Sequence, residues 1–246
     1  QNIKKDVHLS SISGGTDIVS CFVLGNLYQP VHMGEIQNKG LALNVDIFND
    51  KGKPVKNIKG ELVCKNPFPS MPLKFWNDKN ENKFKDAYFN RFANVWHHGD
   101  FAEIKKTKGF IIHGRSDTTL NPGGVRLGTA EIYSEVEKFK EIKESIVVGQ
   151  SWDNDVRIIL FIVMNAKFFL TEDLLKKIKT QIRKNASPRH VPSKVIVVSD
   201  IPRTKSGKIV ELAVKNTIEG NNIKNKEALA NPKALEQFKN LKELSS

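Results

Sequence analysis

One lysine in this chain is tightly constrained by its neighbours. Pro202-Arg203-Thr204-Lys205-Ser206-Gly207-Lys208-Ile209-Val210-Glu211 puts Lys208 after a glycine and before an amphipathic stretch. Pro202 fixes φ on the approach, Gly207 allows a tight bend, and Thr204 and Ser206 can hydrogen-bond the turn from within. Such a loop holds an ammonium group ahead of a helix over Ile209–Ile218, where it suits an anionic oxygen. Alone, the string reads more readily as a surface turn with an ordinary lysine. It is not a phosphate loop of the Walker type, which needs a glycine five residues before the Gly-Lys pair and a hydroxyl after it. Pro202 and Ile209 occupy those places.

The 246 residues suffice for one large or two ordinary domains, and 39% hydrophobic content permits a real core. A net charge of +12 raises the question of nucleic acid. Residues 1–116 hold 17 basic and 11 acidic groups and the remainder 22 and 16, so the excess is spread evenly. Lysines interleaved with acids describe a solvated surface. Cys21 and Cys64 lack metal or redox spacing and read as two buried, reduced thiols. The longest apolar run, Ile158–Met164, is too short to span a bilayer. Gln1 opens a mixed polar stretch unlike a signal peptide, and the chain begins as if cut from something longer.

The first half is β-rich. Leu41, Leu43, Val45 and Ile47 alternate before an Asp50-Lys51-Gly52 turn, Glu61–Cys64 is a strand candidate, and Phe101–Ile104 and Phe110–His113 flank a hairpin turn. Short punctuated strands suggest a small distorted barrel. In the second half Thr129 can cap a helix with Ile132, Val136 and Phe139 on one face. Ser145–Gly149, Val156–Met164 and Lys194–Ser199 are strand candidates. Thr171 caps a helix with Leu175, Ile178 and Ile182 inward, and Asn231-Pro232 opens a last helix bearing Leu235, Phe238 and Leu241. That half is a compact α+β unit.

Three further strings carry chemistry. Ser13-Gly14-Gly15-Thr16-Asp17 offers backbone N–H groups, a hydroxyl and a carboxylate, parts for a phosphate and its magnesium, although a plain turn has the same residues. Trp96-His97-His98-Gly99-Asp100 presents a carboxylate suited to a vicinal diol, or a turn aspartate. Its two histidines diverge on a strand and make no obvious zinc site. Gly114-Arg115-Ser116-Asp117 runs on to Asn121-Pro122-Gly123-Gly124-Val125-Arg126 and Glu131, a glycine-rich loop leading into a helix.

Taken in order, these strings resemble the motifs of the acyl-adenylate-forming superfamily of acyl-CoA synthetases, luciferases and adenylation domains. P-R-T-x-S-G-K-I resembles its last motif, SGGTD its Y-G-x-T-E, WHHGD its Y-R-T-G-D, and GRSD through GGVR its hinge motif. Ser13 stands where the superfamily usually has an aromatic that stacks on adenine. The strings PFPSMP, LNPGGVRLGTAEIY, SPRHVP and EALANPKALEQF further resemble the branch that activates acetoacetate.

The resemblance implies the end of a large domain with a small distorted β-barrel over 1–114, a hinge at 115–118, and a mobile α+β domain over 119–246 with a short sheet flanked by helices. It implies a cytoplasmic AMP-forming ligase of lipid and ketone-body metabolism, acting on ATP, Mg2+, acetoacetate and CoA. Lys208 would be catalytic. Gly14, Gly15, Thr16, Asp100, Arg115 and Arg126 would bind nucleotide, Asp17 the metal, and Gly123 and Gly124 CoA, with Asp117 the pivot. The implied partners are the upstream part of the same polypeptide and a lysine acetyltransferase and deacetylase acting on Lys208, with neither nucleic acid nor membrane. The Ser/Thr/Gly-rich triphosphate loop of the family is absent from these residues, so the fragment alone is expected to be inactive. Another short-chain acyl-CoA synthetase, of acetyl or propionyl type, and a non-catalytic nucleotide- or CoA-binding module remain the alternatives.

Overall fold

Ile158–Val163 is the segment around which the second half is organised. Its even residues, Ile158, Leu160 and Ile162, join one apolar cluster, and its odd residues, Ile159, Phe161 and Val163, join another. A strand alternates its side chains, so an unbroken apolar run buries both faces and must lie at the centre of a sheet. The computed structural model, which describes residues 4–223 and 226–245, places it there. Gln1, where the polar opening stretch is read, lies outside the described residues. The chain divides into two units, residues 1–116 and 117–246.

In the first unit β1 (Ser13–Gly15), β2 (Ser20–Leu24) and β3 (Asn38–Lys39) form a three-stranded antiparallel sheet. A second antiparallel sheet has the order β4 (Val45–Phe48), β5 (Gly60–Cys64), β6 (Trp96–Ile104), β7 (Phe110–Arg115). Among the described residues no pairing joins β4 to β7, so the sheet is open and the expected barrel does not close. Every residue of β5 is buried, because both its faces are covered. Leu62 and Cys64 pack with Phe22, Phe68 and Trp96, while Val63 packs with Phe48 and Phe92. Helix α1 (Asn82–Tyr88) adds Phe84 to the first group.

The alternation from Leu41 does not make one strand. Ala42 takes a left-handed backbone, Leu43 N–H closes a turn onto the Gly40 carbonyl, and Leu41 points outward, so extension starts only at Val45. Cys64 is buried as expected, but Cys21 is only half-buried.

In the second unit β8 (Ile142–Trp152) and β9 (Asp155–Met164) form an antiparallel hairpin. Asp153 and Asn154 both have positive φ at its tip, the backbone that a two-residue turn between twisted strands requires. β10 (Lys194–Val197) lies parallel to β9 on the other edge, reached through α3 (Glu172–Asn185). Helices α2 (Ala130–Val136) and α3 cover the even face of β9. Glu135 ties them, accepting from Gln181 and Asn185 at 2.9 and 2.8 Å. The odd face is covered by α4 (Glu211–Ile218) and by Leu229, Leu235, Phe238 and Leu244.

Several expected details shift. Thr171 caps α3 through Leu174 N–H, but Leu174 rather than Leu175 completes its inner face. Thr129 precedes α2 with helical backbone and no side-chain cap, its carbonyl taking the Ile132 and Tyr133 amides. The helix after Lys208 starts at Glu211, because Ile209 pairs back to Arg203 as a β-bridge. Pro232–Phe238 is a 3₁₀ helix, and Asn231 does not cap it. The Asn231 side chain is committed instead to Arg203 N–H, Asp200 and the Ile201 carbonyl.

Phe238 is fully buried, edge-on to Phe161 with ring centroids 4.9 Å apart. Phe238→Ala is expected to destabilise the second unit by about 3–5 kcal/mol, read by denaturant unfolding. A loss below 1 kcal/mol would show that residues 232–244 are not part of that core.

Candidate functional site

The sequence candidates fall into two groups, one in each unit. In the first unit three separated segments converge. β1 and a 3₁₀ turn at Thr16–Ile18 carry Gly14, Gly15, Thr16 and Asp17. β6 carries His98 and Asp100, and the end of β7 carries Arg115, which pairs directly with Asp100 in the sheet register. Both loop glycines lie in close quarters, Gly14 against backbone and Gly15 against side chains. A Cβ at Gly14 would meet the Ser20 carbonyl and the Cys21 backbone, and one at Gly15 would meet the Asp17 carboxylate and the His98 ring.

Asp100 is buried, and its Oδ1 accepts from Arg115 NH1 at 3.2 Å. The same nitrogen donates to the His98 carbonyl at 3.0 Å. Gly99, with φ of +83°, leaves room for that guanidinium. Asp17 is exposed. Its Oδ2 accepts from the Tyr88 hydroxyl at 2.5 Å and its Oδ1 from Ile18 N–H at 3.1 Å. Burial, and then the hydrogen bond and charge of Asp17, push the Tyr88 phenol well above its ordinary range, so it remains a donor. Tyr88 stacks on Trp96 at 3.7 Å. Among the described residues no group of three acidic, histidine or cysteine side chains is placed to hold a metal. A magnesium ion bound to phosphate needs only one or two carboxylates, and Asp17 fits as one.

Two participants escaped the sequence reading. Tyr88 lies 71 residues from its partner Asp17, with no motif around it. His98 sat inside a motif but carried no assigned role. The Trp96 indole, a donor only, points at His98 Nδ1 across 3.4 Å. The proton therefore sits on Nε2, which lies 3.9 Å from Asp100 Oδ2. His98 bridges the glycine loop and the Asp100 carboxylate while packing on Phe22.

In the second unit Lys208 occupies a closed turn. Thr204 N–H bonds the Lys208 carbonyl at 2.8 Å, Gly207 N–H bonds the Thr204 carbonyl at 2.8 Å, and Lys208 N–H bonds Thr204 Oγ1 at 3.1 Å. Gly207 has φ of +85°. Arg203 buttresses the loop, donating to the Gly207 carbonyl and pairing with Glu144 at 3.0 Å. From the other side Lys205 N–H reaches the Ala228 carbonyl, and Ala230 N–H reaches the Arg203 carbonyl. Behind it Tyr133 OH donates to Glu211 Oε1 at 2.6 Å and accepts Val147 N–H. The Lys208 side chain is exposed and makes no ion pair among the described residues. The loop is closed by hydrogen bonds on both sides and its ammonium is exposed.

Gly123 and Gly124 form a 3₁₀ turn with φ of +59° and +72°. Both Asp155 oxygens accept from Gly123 N–H at 2.9 Å. A Cβ at Gly124 would meet no atom within 4 Å. Arg126 Nε donates to Thr119 Oγ1 at 3.0 Å. Asp117 lies in a 3₁₀ turn over Ser116–Thr118, where the two units divide.

The first unit thus gathers a glycine loop, a buried carboxylate and a guanidinium, and the second carries an exposed lysine on a closed turn. Residues 131–208 match the AMP-binding enzyme C-terminal domain. The chain is homologous to the C-terminal part of acetoacetyl-CoA synthetases. It is 61% identical over 246 residues to acetoacetyl-coenzyme A synthetase of Rhizobium meliloti, covering 100% of this chain and 38% of that protein. It is 47% identical over 248 residues to the acetoacetyl-CoA synthetase of Gallus gallus, of which it covers 37%. The solved acetoacetyl-CoA synthetase from Streptomyces lividans superposes with a TM-score of 0.90 at 40% identity, over 96% of this chain and 36% of that one. A benzoate CoA ligase from Burkholderia xenovorans shares the fold, with a TM-score of 0.70 at 21% identity over 84% of this chain and 40% of that one. No helix among the described residues is long and apolar enough to cross a membrane.

Burial holds His98 below the usual histidine range, with Arg115 acting the same way, against the charges of Asp100 and Asp17 and a Gly14 backbone hydrogen bond. A histidine whose folded pKa is depressed adds stability above its ordinary value of 6.5 and loses it as pH falls through the lower folded value. Melting temperature should therefore drop on acidification between about pH 7 and 5, and His98→Gln should flatten part of that slope. An unchanged slope in the variant would refute the assignment.

Proposed function

We propose that this chain is the nucleotide- and CoA-handling C-terminal part of a cytoplasmic, AMP-forming acetoacetate–CoA ligase. The observation that carries the reading is its 61% identity, across its whole length, to an acetoacetyl-CoA synthetase. The convergence of Gly14, Gly15, Asp17, Asp100 and Arg115 supports it. The upstream part of the same polypeptide supplies the rest of the large domain. Its docking surface includes the exposed apolar side chains Leu9, Tyr28, Met33, Leu41 and Trp76 of the first unit.

In the first half-reaction a carboxylate oxygen of acetoacetate attacks the α-phosphorus of ATP, forming an acyl-adenylate and releasing pyrophosphate. The Gly14–Gly15 backbone and the Thr16 hydroxyl meet the α-phosphate. Asp100 accepts from the ribose hydroxyls, with Arg115 holding it in place. Arg126 lies on the phosphate side. Asp17 would hold magnesium, which would offset phosphate charge. Lys208 places its ammonium against the charge that builds on phosphate oxygens in the transition state.

In the second half-reaction the second unit rotates about Asp117. The CoA thiol then attacks the acyl carbon, AMP leaves, and the Gly123–Gly124 turn lines the pantetheine path. Separating the two steps by a domain movement lets one site serve two chemistries. Acetylation of Lys208 by a lysine acetyltransferase, reversed by a deacetylase, would remove its charge.

Carboxylate-dependent pyrophosphate exchange by the full-length protein tests the substrate. Acetoacetate should exceed acetate, propionate and butyrate in kcat/KM by at least about tenfold, the effect of roughly 1.4 kcal/mol of differential transition-state binding. A preference for acetate or propionate would establish the alternative short-chain ligase.

Lys208→Ala in the full-length enzyme should slow adenylation by about 10²–10³ and largely spare thioester formation from supplied acyl-adenylate. Protein fully acetylated at Lys208 should behave alike. Equal loss in both half-reactions would remove Lys208 from the first step.

A further inference from the structure

Glu61 lies near the start of β5, and its side chain is wholly buried. A buried carboxylate needs its charge and lone pairs met, and here three groups meet them. Arg91 NH1 reaches Oε1 at 3.2 Å. His97 Nε2 reaches Oε2 at 2.7 Å, and the Ser116 hydroxyl donates to the same oxygen. Arg91 is itself pinned by Asp50 at 2.7 Å, and His97 packs edge-on against Phe92.

His97 packs on Phe92 and His98 on Phe22, which belong to apolar clusters on opposite faces of the sheet. Glu61 serves the far face. What it holds there is Ser116, the last residue before the chain divides into its two units. The residue before it, Arg115, is held on the near face by Asp100 and the His98 carbonyl. Two consecutive residues, each fixed to a buried carboxylate, therefore end at the boundary.

We propose that Glu61 is the positioning residue of the hinge. Its carboxylate clamps the Ser116 hydroxyl, so backbone rotation begins at Asp117 and not earlier. The proposal rests on the reading of Asp117 as the pivot. Without the clamp, rotation would spread over several residues. Each pose would then become a family of poses, and misplacement by about 1 Å is enough to slow positioned chemistry severely. Ordering the first residue outside the pivot selects one axis from many.

The test uses the full-length enzyme. Ser116→Ala removes the clamped hydroxyl and leaves Glu61 with Arg91 and His97. Hydrogen exchange at residues 116–118 should speed up about tenfold, the expected effect of losing one hydrogen bond to a charged acceptor. The ratio of thioester formation to adenylation should shift several-fold, while melting temperature and AMP affinity hold. Ser116→Thr should restore both readouts. Glu61→Gln should move them in the same direction as Ser116→Ala, and the serine variants decide the matter if it fails to fold. Wild-type exchange and an unchanged half-reaction ratio in Ser116→Ala would overturn the clamp. Asp117→Pro separates the two levels. If it uncouples the half-reactions and Ser116→Ala does not, the clamp fails alone. If neither uncouples them, the pivot reading falls as well and takes the clamp with it.

Discussion

The second unit depends on one strand that has no face to give to water. β9 must be covered twice, and the two covers come from different parts of the chain. Helices α2 and α3 precede or follow it closely, while α4 and residues 229–244 arrive last. The lysine loop runs directly into α4 and is bonded to the start of that last segment. Its geometry is therefore set by the demand that the odd face of β9 be buried. The Lys205–Ala228 and Arg203–Ala230 backbone bonds are formed where the covering segment passes the loop.

Paired carboxylates play the same part in the first unit. β6 and β7 present Asp100 on one face and, through β5, Glu61 on the other. Each carboxylate takes a donor from the end of β7. The end of the unit is fixed on both sides at two consecutive residues, the last of β7 and the first after it, although both are polar and near the surface. Electrostatic pairing with buried partners does there what apolar packing does elsewhere.

Much of this was legible in the residues themselves. The SGK loop, both strands flanking Lys105–Gly109 and the strand candidates at Ser145–Gly149 and Val156–Met164 follow from alternation and turn chemistry. The convergence of SGGTD, WHHGD and Arg115 was legible only as an ordered set of motifs, since spacing alone does not bring residues 17 and 100 together. What was missed has local causes. The strand expected from Leu41 failed because a left-handed Ala42 interrupts it, and alternation carries no information about φ. Asn231 was read as a cap because Asn-Pro usually is one, but its side chain found three partners around Arg203 and Asp200. Tyr88 and Glu61 gave no signal, because the bonds that matter, to Asp17 and to Ser116, reach across more than fifty residues.

The covering segment also orders events in time. Chains fold largely from the N-terminus during synthesis, and the first unit holds all of its own strand partners before residue 117. The second unit cannot seal the odd face of β9 until Leu235, Phe238 and Leu244 have been made. Lys208 is thus translated well before the residues that shape its loop. Until they are, Ala228 and Ala230 are not held against the loop, and the turn that carries Lys208 lacks its outer backbone bonds.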